Sequence, residues 1–316
     1  MGEPIRSCLS RRAWLLSAAA AQAAPLTEAV PNSVLVHEHV LVDFAGAAVD
    51  SRTRYALDDA FNTALPKLRE LKPFGCVRLL ECTPNYLGRD PRLLLKLRDA
   101  TGIDLWTNTG IYGAAKRAGI PKYAYDETAE QLARRWIEEF RKGVEGMKPR
   151  FIKTAVNVFP LEPIDVKLVT AAAITSKETG LPICSHTNGG GPAAMAQLEI
   201  LDKLKCPASK FVWVHAQSEK DHTFHVRAGS AGAWVEFDGV NPKSAAWHVE
   251  CVNLMEKKEL LHRTLVSQDS GWYRVGEPGG GQFNGFTFIY TGFLPQLEPG
   301  VRKTLMVDNP RRAFGK

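Results

Sequence analysis

Val34-Leu35-Val36-His37-Glu38-His39 is a short apolar run that ends in two histidines two residues apart. Branched aliphatic residues in a run of this length favour a strand. Side chains at i and i+2 on a strand point the same way, so both imidazoles can reach one ion. An H-x-H pair alone is weak evidence, but here its placement recurs. His186 ends Leu181-Pro182-Ile183-Cys184-Ser185-His186, and His215 ends Phe211-Val212-Trp213-Val214-His215. Asp269 follows Leu265-Val266-Ser267-Gln268, and Lys153 sits in Arg150-Phe151-Ile152-Lys153-Thr154.

Between these polar ends the chain alternates short apolar runs with longer amphipathic ones. The strand expectations are Ser33–Val36, Cys76–Leu80, Asp104–Thr107, Phe151–Ala155, Leu181–Ser185, Phe211–Val214, Gly232–Phe237 and Thr264–Ser267. The helix expectations are Leu57–Leu71, Pro91–Ala100, Asp126–Lys142, Ile164–Glu178, Pro192–Leu204, Ser244–Lys257 and Gly285–Leu297. Asp90 and Asp126 read as N-caps, and Gly102 and Gly180 lie just past helix ends. The interval from His37 to Asp269 is roughly 33 residues per unit, close to one βα repeat. The expected fold is an α/β (β/α)₈ TIM barrel with a binuclear metal site at the C-terminal ends of its strands, where this architecture places its chemistry. An open doubly wound sheet is the alternative.

The 316 residues are 45% hydrophobic and 23% charged, with a formal net charge of +6. That is enough for one barrel, expected over residues 25–316. Residues 1–24 read differently. Ser10-Arg11-Arg12-Ala13-Trp14-Leu15-Leu16 is a twin-arginine motif, followed by an apolar stretch and a small-residue site at Ala21-Gln22-Ala23. This predicts export to a bacterial periplasm or beyond, with a cytoplasmic location as the alternative, and the stretch is too short to span a membrane. Lysines and arginines form no stripe interleaved with aromatics, so no nucleic-acid partner is expected. Past the signal, Cys76, Cys82, Cys184, Cys206 and Cys251 form no C-x-x-C pair. Their odd number argues against a complete disulfide framework.

Four imidazoles and a carboxylate at neighbouring strand ends make a ligand set for borderline divalent cations such as zinc, with manganese or cobalt as alternatives. A lysine at an inward strand end is costly unless compensated. Lys153 can be paired with a carboxylate, or its amine can take up CO₂ and become a carbamate that bridges two divalent metal ions. The second reading suits this setting better, because two ions need anionic ligands.

These segments, with Gly88-Arg89-Asp90-Pro91, Thr109-Gly110-Ile111-Tyr112 and the closing Asp308-Asn309-Pro310-Arg311-Arg312-Ala313-Phe314, resemble the phosphotriesterase-like branch of the amidohydrolase superfamily. The resemblance runs from about Ser33 to Phe314. It implies a binuclear centre with His37, His39 and Asp269 on the more buried ion, His186 and His215 on the more exposed one, and a carboxylated Lys153 on both. It further implies a hydrolase in which a metal-bridging hydroxide attacks an ester, with Asp269 taking the proton. A small-molecule lactone or carboxylic ester is the expected substrate, with phosphotriester hydrolysis as an alternative. A metal- or ligand-binding barrel without turnover is the alternative from another class. Tyr112, Trp272 and Tyr273 are candidate pocket residues, and the glycine-rich loop Gly276–Gly281 is a candidate pocket wall or lid. Related lactonases carry an arginine near the position of Asp238, which weakens an assignment to acyl-homoserine lactones. His222, His225, His248 and His262 read as non-ligands, and the Gly285–Leu297 face is a candidate homodimer surface.

Overall fold

The apolar runs become the staves of a closed parallel barrel. The computed structural model describes Gly2, residues 29–49 and residues 51–315, so the twin-arginine segment lies outside the described residues. The strands are β1 (Ser33–Val42), β2 (Cys76–Glu81), β3 (Asp104–Trp106), β4 (Asn108–Thr109), β5 (Phe151–Val156), β6 (Ile183–Thr187), β7 (Phe211–Val214), β8 (Trp234–Phe237), β9 (Thr264–Val266) and β10 (Gly271–Arg274). They pair in the orders β10-β1-β2-β3 and β4-β5-β6-β7-β8-β9, every pair parallel. β3 and β4 are two halves of one stave separated by Thr107, whose carbonyl accepts from Arg150 N at 2.9 Å. At the other seam Asp269 N donates to His37 O at 3.0 Å, and His39 N donates to Ser270 O at 2.8 Å. Ten strand segments thus form eight staves.

The helices are α1 (Leu57–Arg69), α2 (Pro91–Thr101), α3 (Lys122–Asp126), α4 (Ala129–Lys142), α5 (Pro163–Thr179), α6 (Gly190–Lys203), α7 (His222–Ser230), α8 (Ala245–Lys257), α9 (Pro299–Lys303) and α10 (Asn309–Phe314). No helix among the described residues is long and apolar enough to cross a membrane. Asp90 caps α2 by accepting from Arg92 N, and Gly102 and Gly180 end α2 and α5 in the left-handed region. Asp126 is not a cap. The expected helix splits there, and Thr128 starts α4 with a capping box to Gln131.

The expected helix over Gly285–Leu297 shrinks to a π turn at Ile289–Phe293 and a 3₁₀ turn at Leu294–Gln296. Ile289, Tyr290 and Phe293 are buried, and Tyr290 Oη lies 2.9 Å from Ser33 Oγ. The apolar face read as a dimer surface is therefore consumed by the chain's own core.

Strand alternation separates two apolar layers. Val34, Val36, Leu80, Trp106, Phe151, Cys184, Val212, Val214, Trp234 and Leu265 fill the barrel, with Ala313 among them. Leu35, Leu79, Leu105, Ile152, Ile183, Phe211, Val235 and Val266 face the helices. This phase alone would turn His37 outward, since Val34 and Val36 already point in. The β1–β2 register runs from Leu35 opposite Leu79 to Glu38 opposite Glu81, so β1 carries one extra residue between them. That bulge re-aims His37 and His39 into the mouth of the barrel. His215 follows the inward Val214 directly and reaches the mouth through a left-handed backbone, φ +64°.

Candidate metal centre

Four histidines, a lysine and an aspartate converge on one cavity of about 80 Å³ at the C-terminal ends of the strands. Three rings have Nδ1 turned away from its centre and held there. His37 Nδ1 lies 2.7 Å from Glu236 Oε1, His39 Nδ1 2.7 Å from Thr83 Oγ1, and His215 Nδ1 2.5 Å from Asp238 Oδ1. Lys153 Nζ, which has only hydrogens to give, donates to His37 Nε2 at 3.0 Å. His37 is therefore protonated on Nδ1 and keeps its Nε2 lone pair toward the cavity. Holding one ring nitrogen fixes the tautomer and aims the other, as in histidine metal sites with a supporting carboxylate.

Asp269 completes the inner group. Its Oδ1 lies 3.2 Å from His39 Nε2 and 3.8 Å from His37 Nε2, yet it is buried without a hydrogen-bond partner. Ligand atoms of His37, His215 and Asp269 all fall within 4.8 Å of one another, as do those of His37, Glu236 and Asp238. The second trio already spends its carboxylates on imidazole N–H groups, so the first is the one free to face a cation. Lys153 is 1% exposed, and no carboxylate among the described residues pairs with it. The ion-paired reading of this lysine is thus absent from the structure. His186 lies beside the trio, its ring centroid 4.3 Å from that of His215. Its Nδ1 meets Tyr112 Oη at 3.1 Å and its Nε2 meets Asn188 Oδ1 at 3.2 Å.

The electrostatics suit a cation. Burial lowers the pKa of His37 to about 4, with the Lys153 charge adding to it. Burial likewise lowers His39 and takes His186 well below its ordinary value. Burial opposes the Asp269 carboxylate, but the His39 contact and the His37 and His39 charges hold its pKa below the usual range. On His215 burial is outweighed by Asp238, and its pKa rises. Neutral His37, His39 and His186 beside an ionised aspartate are the protonation states that metal ligation needs, and His215 would give up its proton to a bound ion.

One consequence concerns the chelated chain. An unfolded histidine titrates near ~6.5, whereas folded His37 titrates at about 4. Between these values the unfolded state binds more protons, so the contribution of His37 is complete above ~6.5 and is lost as pH falls toward 4. The expected loss is on the order of 3 kcal/mol, read as a falling Tm. A His37→Asn variant should show a shallower dependence, and matching slopes would remove His37 as the cause.

The cavity walls come from β1 and β10 and from the segments that follow β1, β2 and β4. Val42, Phe44, Pro84, Leu87, Tyr112 and Trp272 line it around the polar floor. Trp272 Nε1 donates to Asp269 O at 2.7 Å, and its ring lies 4.4 Å from His39 and 5.9 Å from Phe44. Tyr273 is placed elsewhere: it points to the opposite face of β10, buried beside Tyr55 and beneath Gly280. No residue of the loop Gly276–Gly281 lines the cavity, contrary to the wall or lid expected. Cys82 joins the lining, and all five described cysteines are buried and free. His225 Nε2 and His248 Nε2 lie 2.7 Å and 2.6 Å from the Ala216 and Asp238 carbonyls, away from the centre.

Sequence reasoning missed Glu236 and Asp238 as partners of the histidines. The signal was present: Trp234-Val235-Glu236-Phe237-Asp238 alternates, and an inward Trp234 carries both carboxylates inward.

A family model described as the phosphotriesterase family matches residues 21–314. The phosphotriesterase homology protein of Escherichia coli is 24% identical over 293 residues, covering 89% of this chain and 97% of the relative. The aryldialkylphosphatase of Saccharolobus solfataricus is 27% identical over 206 residues, 65% of each chain. A solved variant of a phosphotriesterase-like lactonase from Deinococcus radiodurans shares the barrel with a TM-score of 0.79 at 23% identity, covering 91% of this chain and 97% of that one. Barrel, strand-end histidines and a match across nearly the whole described chain agree: this protein belongs to the phosphotriesterase family.

Proposed function

We propose that this chain is a metal-dependent hydrolase of ester bonds, acting on lactones or carboxylic esters. The observation that carries the reading is the aim of the site: imidazoles tied back through Nδ1, an unpartnered buried Asp269 oxygen, and a buried lysine without a counter-ion, all around one cavity. Two divalent ions, zinc in the first instance, would supply an acidified water and a Lewis acid for the substrate oxygen.

His37, His39 and Asp269 are the residues to hold one ion. His215 and His186 hold the other, with His186 exchanging its contact to Tyr112 or Asn188. Lys153, carboxylated by CO₂, would serve both. That role would account for a lysine buried among the candidate ligands with no carboxylate paired to it. Asp269 takes the proton of the attacking water and moves it outward toward the leaving group. Glu236 and Asp238 keep the His37 and His215 rings in orientation.

The walls support the substrate class. Val42, Phe44, Pro84, Leu87 and Trp272 offer an apolar seat, and among the described residues Lys153 is the only lysine or arginine on the lining. A neutral substrate with an apolar arm suits that seat better than an anionic one. Phe44 stands half exposed at the mouth, stacked on Trp272. A Phe44→Ala variant should raise KM for long-chain substrates about five- to tenfold with kcat nearly constant, the pattern of lost uniform binding. Unchanged KM across chain lengths would exclude Phe44 from the substrate contact.

The testing experiment is a hydrolysis panel on zinc-, manganese- and cobalt-loaded protein. It spans aliphatic lactones, acyl-homoserine lactones, aryl esters, a phosphotriester and an anionic N-acyl amide. Turnover led by lactones or esters supports the reading. A phosphotriester far ahead would replace the substrate class, and two bound metals without turnover on any substrate would favour a binding barrel. Residues 1–24 are proposed as a twin-arginine export signal ahead of the barrel, tested by N-terminal sequencing of protein recovered from the periplasm.

A further inference from the structure

Glu38 stands between the two histidines of the opening motif, yet it is not one of the ligands proposed above. Its side chain is fully buried, and no cation among the described residues pairs with it. Three donors surround it instead. Ser267 Oγ and Gln268 N donate to Oε1 at 2.8 Å and 3.0 Å, and Ser270 N donates to Oε2 at 2.8 Å. The Ser267 oxygen already accepts His37 N at 3.0 Å, so its proton is committed to Glu38. Every neighbour thus offers hydrogen; burial pushes the Glu38 pKa up to about 8 against these three contacts, and in either protonation state its two oxygens accept from all three.

Gln268 and Ser270 flank Asp269, so the carboxylate straddles that residue. Asp269 itself has φ +49°, a left-handed conformation that a non-glycine residue adopts when its surroundings impose it. The β1 main chain grips the same segment through Asp269 N to His37 O and His39 N to Ser270 O. At Gly271 an added Cβ would lie 1.8 Å from His39 O, which shows how closely the two backbones approach.

We propose that Glu38 is a positioning residue for Asp269: its two carboxyl oxygens clamp the segment 268–270 in the conformation that aims Asp269 at His37 and His39. The catalytic consequence rests on the hydrolase reading; the clamp itself does not.

Glu38→Gln tests it, because the amide keeps the size but turns N–H groups toward a donor. In the full-length, metal-loaded variant, amides 268–270 should exchange at least about tenfold faster than in the parent. Two metals per chain should remain. kcat should fall about ten- to hundredfold, the scale of a misplaced catalytic group, with KM within about twofold. The acid limb of the kcat/KM–pH profile should also move, a readout a structural role would leave in place. Parent-like exchange at 268–270 would overturn the clamp whether or not any substrate is turned over. Faster exchange with kcat and pH profile unchanged would overturn the positioning role. A parent protein without turnover counts against the hydrolase reading alone, and the exchange result still decides the clamp. If Glu38→Gln does not fold, Ser267→Ala removes one donor and should move the same readouts about threefold; its failure to move them would overturn the proposal.

Discussion

Lys153→Ala is expected to lose hydrolytic activity about a thousandfold or more while the barrel stays folded. The lysine is buried at the site, its Nζ touching His37 Nε2 and no carboxylate. Burial works against its ammonium, but the neighbouring Cys82, Glu236, Cys184 and Asp269 groups outweigh it and raise its pKa; with these effects nearly opposed, replacing it should change the Tm of the chelated protein little. As a carbamate it would be the ligand common to both ions, and its loss should cut bound metal from two ions per chain to one or none. The two measurements separate the roles: metal content by mass spectrometry and Tm after chelation. A partial return of activity with added acetate or propionate would mark the missing group as a carboxylate-like bridge. Two metals and full activity in Lys153→Ala would remove the carbamate from the account.

Asp269→Asn is the second large effect. The amide is isosteric, and Asp269 N to His37 O and Trp272 Nε1 to Asp269 O involve only its backbone, so the fold should persist. What disappears is the anionic Oδ1 beside His39 Nε2 and the group proposed to accept the proton. The expected fall in kcat is about a hundred- to ten-thousandfold, the range for loss of a general base with some weakening of a metal site. The carboxylate is held below its ordinary pKa, so it stays ionised well into the acid range in the parent. Any acid limb belonging to this group should vanish in the variant, leaving a low, flat profile. Parent-like kcat with an unchanged acid limb would assign proton transfer to another residue.

Much of this site was legible because strand ends are local features. An apolar run followed by His186, Lys153 or Asp269 needs no knowledge of partners, and a barrel brings all such ends to one rim. Helix starts were less legible. Asp126 and Thr128 are both good cap residues, and what favours Thr128 is Gln131 three positions on, which completes the capping box. The Gly285–Leu297 pattern misled for a tertiary reason. Its carbonyls at Gly285 and Phe286 accept from Ser270 and Gln268 across the chain, and that competes with the helical ladder.

Tyr273 shows the same limit at a single residue. Being next to Trp272 in sequence places it on the opposite face of β10, and only the helix packed behind decides which face is core. By itself the sequence determined the barrel, because the βα period and the apolar staves are local and repeated. It also determined the six groups at the strand ends. Tertiary structure alone decided their aim. The bulge between Leu35 and Glu38 that turns His37 inward, the left-handed turns at His215 and Asp269, and the Glu236 and Asp238 contacts that hold the imidazoles all arise where two strands meet. A register between strands is a property of the pair, and no single run of residues contains it.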